Sequence, residues 1–191
     1  DMRYDPVYRP MFTKLPADSS QRWRLVEEFI ELWHEPLTRE SGNSKEELSA
    51  AEARIGATLP TTLRQWYAFA GRRTNVWSKQ DELFELDRVR VDNDDEALLF
   101  RSENQGCEAW GIYVRDLNLA DPPVIEMLAS ESAATSHCNI SEFAIQSLLL
   151  ESMWQGVVCT TNDGAHSAEA DRALKADLQR ADLPKAYWVL D

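Results

Sequence analysis

The residues of this chain best suited to nucleophilic or metal chemistry are three cysteines (Cys107, Cys138, Cys159) and three histidines (His34, His137, His166). A cysteine hydrolase needs a thiolate beside an imidazole, with a third group to orient the base. His137 and Cys138 are neighbours in sequence, and Cys159 and His166 share one C-terminal stretch. Neither pair lies in a recognisable nucleophile context, and an unpaired cysteine is most often a small buried hydrophobe. Four zinc ligands would have to be gathered from across the chain, since no short-range pair stands at finger spacing. His34 follows Trp33 near an expected helix end, where the helix dipole suits an imidazole for structural reasons.

Carboxylates offer a second chemistry. Asp92, Asp94, Glu96 and Glu103 fall at positions one, three, five and twelve of a calcium-loop spacing. Such a loop needs a glycine turn at position six. Here that position is Ala97, and Leu98, Leu99 and Phe100 follow it as a strand would. An acidic, solvated hairpin tip fits these residues better than a calcium cage. Glu103, Asn104 and Gln105 could line a cleft beside Trp110, and the favoured reading is instead that Asn104 and Gln105 satisfy the turn backbone. Nucleotide-binding glycine loops, the G-x-S-x-G elbow and H-E-x-x-H are all absent from the sequence. The expectation is a chain with no catalytic residues, no metal and no cofactor.

The elements that would carry these groups begin with an arm over residues 1–20, anchored by Tyr4, Tyr8 and Phe12. A helix capped by Ser20 runs to about Trp33 and buries Trp23, Val26, Ile30 and Trp33. Residues 44–71 read as two helices. Ser44 and Glu47 form a capping box, Gly56 suits a left-handed C-cap, and Leu59-Pro60 restarts the chain. Leu63, Trp66, Tyr67 and Ala70 make the second apolar stripe. Strand formers follow over residues 83–91, with a break at Arg88, then at 97–101, 110–115 and 124–128. Turns at 92–95 and 103–106 separate them. Short connections imply an antiparallel meander. Ser141 caps a helix to about Ser152, apolar on several sides. A short strand at 157–160, a turn at 162–164, a polar helix over 167–180 and a last strand at 187–190 complete the reading. The fold class is α+β, an antiparallel meander sheet packed by helices. The chain reads as one domain over 1–191, with a core at about 44–150, an N-terminal arm and helix over 1–40 and a C-terminal extension over 151–191.

With 33 acidic against 20 basic residues, the formal net charge is −13. A nucleic-acid binder needs a basic footprint, so that class is disfavoured. An acidic surface would instead steer a basic partner. Unpaired, widely spaced cysteines suggest a reducing, cytoplasmic setting. No basic-then-apolar opening and no apolar run of about 20 residues is seen, so neither a signal peptide nor a membrane span is expected.

Residues 47–60 (ELSAAEARIGATLP), followed by 63–71 (LRQWYAFAG), resemble the SUKH superfamily, which includes bacterial immunity proteins and SMI/KNR-type cell-wall assembly regulators. Residues 100–106 (FRSENQG) with Trp110-Gly111 are similar to the family's central strands, and 141–143 (SEF) to the start of its C-terminal helix. The resemblance spans roughly residues 44–150 and implies a SUKH-like sheet packed by helices and a non-enzymatic protein binder. Many relatives neutralise a cognate toxin, often a nuclease. The first expectation is therefore an immunity protein binding a basic toxin domain. An intracellular regulatory or scaffolding module without a toxin is the alternative, and a cysteine-dependent hydrolase the third. Contacts to the partner are expected from Asp81, Glu82, Asp92, Asp94, Asp95, Glu96 and Glu103, with Trp77 as aromatic anchor.

Overall fold

The computed structural model describes residues 12, 14–92, 96–128 and 135–154, with backbone alone at 135–137. Most of the expected N-terminal arm, the tip of the 92–95 turn and every element expected beyond Trp154 lie outside the described residues.

Helix α1 (Ser19–Trp33) opens two residues earlier than a cap at Ser20 implies. Its cap is Asp18, whose carboxylate accepts from the Ser20 and Gln21 backbone N–H groups at 2.9 and 3.2 Å. A carboxylate at that position also favours the positive end of the helix dipole. α2 (Lys45–Ile55) begins as expected. Ser44 N–H donates to Glu47 at 2.7 Å and Glu47 N–H donates to Ser44 Oγ at 3.2 Å. Gly56 then closes α2 at φ 77°, where an L side chain is strained. α3 (Thr61–Ala70) and the single turn α4 (Thr74–Trp77) follow.

The sheet is antiparallel. β3 (Ala97–Ser102), β4 (Glu108–Tyr113), β5 (Pro123–Leu128) and β6 (Thr135–Asn139) form the meander in sequence order. β1 (Glu82–Leu83) and β2 (Arg90–Asp92) both pair with β3, one at each end. The expected break near Arg88 is the turn between them. The strand reading missed β6, whose residues Thr135–Asn139 carry little apolar alternation.

α5 (Ile140–Trp154) is buried on several sides, as its apolar spread predicts. Ser141 lies inside it and is not its cap. Asp121 serves the helix start from a distance, accepting from Ser141 N–H at 3.0 Å and Ser141 Oγ at 2.6 Å. Arg22 near the start of α1 reaches Glu142 near the start of α5, at 2.9 Å. His34, just past α1, lies 3.1 Å from Ser152 Oγ near the other end of α5. The two helices therefore run side by side in the same direction. α5 meets the sheet through Phe143, whose ring lies 5.9 Å from those of Phe100 and Trp110.

Trp66, wholly buried, joins the layers, with ring centroids 6.0 Å from Trp23, 5.0 Å from Trp77 and 6.2 Å from Phe100. Gly42 sets a tighter constraint. Its backbone passes so close to α3 that an added Cβ would lie 1.8 Å from the Ala68 carbonyl oxygen. Gly42→Ala is expected to destabilise by about 3 kcal/mol, the upper end of overpacking effects. Gly56→Ala meets no atom within 4 Å, so only its left-handed backbone counts, at about 1 kcal/mol. Denaturant unfolding of both variants checks the order. No helix among the described residues is long and apolar enough to cross a membrane.

Candidate functional site

The strongest concentration of charge inside the fold is built by a strand irregularity. The β3–β4 register shifts between Leu99 and Arg101, so Phe100 is the extra residue of a bulge. Strict alternation would send Phe100 and Arg101 to opposite faces. Instead both meet α5: Phe100 packs on Phe143, and Arg101 ion-pairs with Glu151. Arg101 is 1% exposed and Glu151 fully buried. Arg101 Nη1 also donates to the Trp77 carbonyl at 2.9 Å, and Asp81 Oδ2 lies 3.6 Å from Nη2. Glu151 accepts three successive backbone N–H groups, from Lys79, Gln80 and Asp81, at 2.5, 2.6 and 3.1 Å. One carboxylate of α5 thus moors both the loop after α4 and strand β3.

Beside this cluster lies a recess of about 110 Å³. Asp81 and Arg101 form its inner wall, Glu103 and Glu108 come from the β3–β4 hairpin, and Trp110 with Phe143 and Leu150 supply apolar surface. Arg101 sits 5.8 Å from the Trp110 ring centroid. Burial pushes the Asp81 carboxyl above the usual carboxylate range, against the pull of Arg101. Burial also raises Glu108, reinforced by repulsion from Glu126, Glu103 and Asp81. Two polar atoms of the recess residues are buried without a partner among the described residues: Gln146 Oε1 and Trp110 Nε1. A wider groove of about 600 Å³ runs along α2. There Arg72 pairs with Glu47, Arg54 donates to the Leu86 and Val89 carbonyls, and Glu85 and Asp87 add two further carboxylates.

The recess gathers only part of the expected contact set. Asp81 and Glu103 line it. Asp81, expected on the outer surface, is 6% exposed, because the loop after α4 folds inward onto Glu151. Trp77 is corrected outright. It is wholly buried against Trp66, with Nε1 donating to the Ala70 carbonyl at 2.9 Å, and is not available as a surface anchor. Glu82 pairs with Arg88 on the β3 edge. Asp92 ends β2 half-buried, and Glu96 is exposed at φ 50°. Asp94 and Asp95 lie outside the described residues. Glu103 also accepts from Gln105 and Cys107 N–H at 2.7 and 3.3 Å, so its carboxylate serves the turn backbone, a role expected of Asn104 and Gln105, while also lining the recess.

Sequence reading missed Arg101, Glu108, Gln146 and Glu151. One signal was present: Arg101 follows Leu98-Leu99-Phe100 and Glu151 follows Leu148-Leu149-Leu150, two opposite charges each closing an apolar run. The candidate nucleophile Cys138 is buried, and burial together with Glu142 pushes its thiol up to about 12. Its hydrogen-bond partner is Gln146 Nε2 at 2.9 Å. That environment keeps the sulfur protonated, opposite to what a nucleophile requires. Cys159 and His166 lie outside the described residues.

Burial of Glu108, with repulsion from its neighbouring carboxylates, has a pH consequence. Glu108 takes up a proton more readily in the folded chain than in the unfolded one. Between the ordinary carboxylate value and its raised value, the native state binds more protons, so stability rises as pH falls through that window. Glu108→Gln is expected to stabilise the protein near pH 7 and to flatten this slope; urea unfolding at about pH 7 and about pH 5 measures it. An unchanged slope would contradict the assignment.

A scan against protein-family models matches none to this chain, and a search of the curated proteins finds no match.

Proposed function

We propose that this chain is a non-enzymatic protein-binding domain, an immunity protein that neutralises a basic toxin domain by direct contact. The observation that carries the reading is the excess of negative charge in the recess. Asp81, Glu103 and Glu108 are held near one another, and the one cation among the described residues lining it, Arg101, is shared between Glu151 and Asp81. Like charges held together by a fold are relieved when a cation arrives, which makes the site electrostatically complementary to a basic surface. The overall charge of −13 adds long-range steering toward such a partner. The SUKH resemblance of residues 44–71 supports the same reading, and a nuclease, whose active cleft is basic, is the toxin class that fits best.

Co-expression with the product of the adjacent gene tests this. The expected result is rescue of growth together with co-purification of the two proteins. Toxicity that this chain does not relieve, with no complex on gel filtration, would reject it.

A further inference from the structure

We propose that the recess is a socket for one lysine side chain presented on a loop of the partner. The inference rests on the binding function above and names the contact that would anchor it. At about 110 Å³ the recess takes the end of a side chain, not a nucleotide or a helix. Trp110 and Phe143 offer apolar surface to the methylene stem, while Glu103 and Glu108 face the ammonium, the division of roles a long cationic side chain uses.

Gln146 provides an independent indication. It is 3% exposed, its Nε2 is held by Cys138 Sγ, and its Oε1 has no donor among the described residues. A buried acceptor left unmatched is unfavourable, and an ammonium supplies the donor. Trp110 Nε1, 6% exposed as a residue, lacks an acceptor in the same way. Three N–H donors on a compact head also suit oxygens arriving from the hairpin and from α5 better than the planar fork of arginine does.

The test is a titration of the full chain with acetyl-Gly-Lys-Gly-amide, and with the same peptide carrying norleucine, followed by NMR. The readouts are the Trp110 indole N–H and the Gln146 side-chain amide. Saturable shifts of both signals with the lysine peptide are expected. Binding should be weaker by about tenfold or more with norleucine, and by a similar factor in Glu108→Gln, the loss of one charge-assisted contact. Retained dispersion of the Glu108→Gln spectrum shows that the variant is folded. Absence of saturable shifts, equal response to the two peptides, or an unchanged response in Glu108→Gln would overturn the socket. Failure here with toxin rescue intact removes the socket alone. Peptide binding without toxin rescue leaves the socket and removes the immunity function.

Discussion

Replacing Glu151 with alanine is expected to cost about 3–5 kcal/mol, a large share of the roughly 5–15 kcal/mol that keeps an ordinary domain folded. The change strands Arg101, which is 1% exposed, without its carboxylate partner. It also removes the acceptor of three backbone N–H groups, those of Lys79, Gln80 and Asp81. A buried ion pair adds little net stability over apolar residues of similar size, but breaking one side of it leaves a desolvated charge. The double variant Arg101→Met/Glu151→Leu should therefore recover part of the loss. Recovery stays incomplete, because the three N–H groups remain unmatched. Guanidinium unfolding of Arg101→Met, Glu151→Leu and the double variant closes the cycle. A loss below about 1 kcal/mol in Glu151→Ala would show that this carboxylate does not moor the loop and strand.

Trp66→Ala should lose a similar amount, about 3–5 kcal/mol, through the cavity it leaves. The indole is wholly buried and lies against three other aromatic rings on α1, α4 and β3. No single neighbour can collapse into the space without breaking contact with another layer. Trp66→Phe should be much milder than its lost volume suggests. Trp66 Nε1 has no acceptor among the described residues, so phenylalanine removes an unmatched donor along with the extra ring. Thermal unfolding ranks the three proteins, and a Phe variant as weak as the Ala variant would contradict this account.

The physical range of each signal explains what could be read before the structure. Ser44, Glu47 and Gly56 act through hydrogen bonds or backbone angles within one helix, so a few residues of sequence suffice to place them. The turns at Arg88 and at 103–106 are local in the same way, and the α+β class with an antiparallel sheet follows from such pieces. The Phe100 bulge is different, because it exists only in the pairing of β3 with β4. Arg101 and Glu151 are separated by fifty residues of chain, and nothing near either one marks the other as its partner. Trp77 was misread because tryptophan serves cores and interfaces equally well; here Trp66 and the Ala70 carbonyl decide the matter. Asp81 was expected outside on account of its charge, and the loop after α4 turns it inward.

Salt and mutation dependence of association bear most directly on the central proposal, that the acidic recess and its surroundings capture a basic partner. The measurement is the association rate of the purified chain with the adjacent gene's product, its proposed partner, by stopped flow from low to high ionic strength. Wild type should slow by about tenfold or more as salt rises, the signature of electrostatic steering. Glu103→Gln/Glu108→Gln should start slower at low salt and respond less steeply. Association at a rate indifferent to salt, and identical in the double variant, would contradict it.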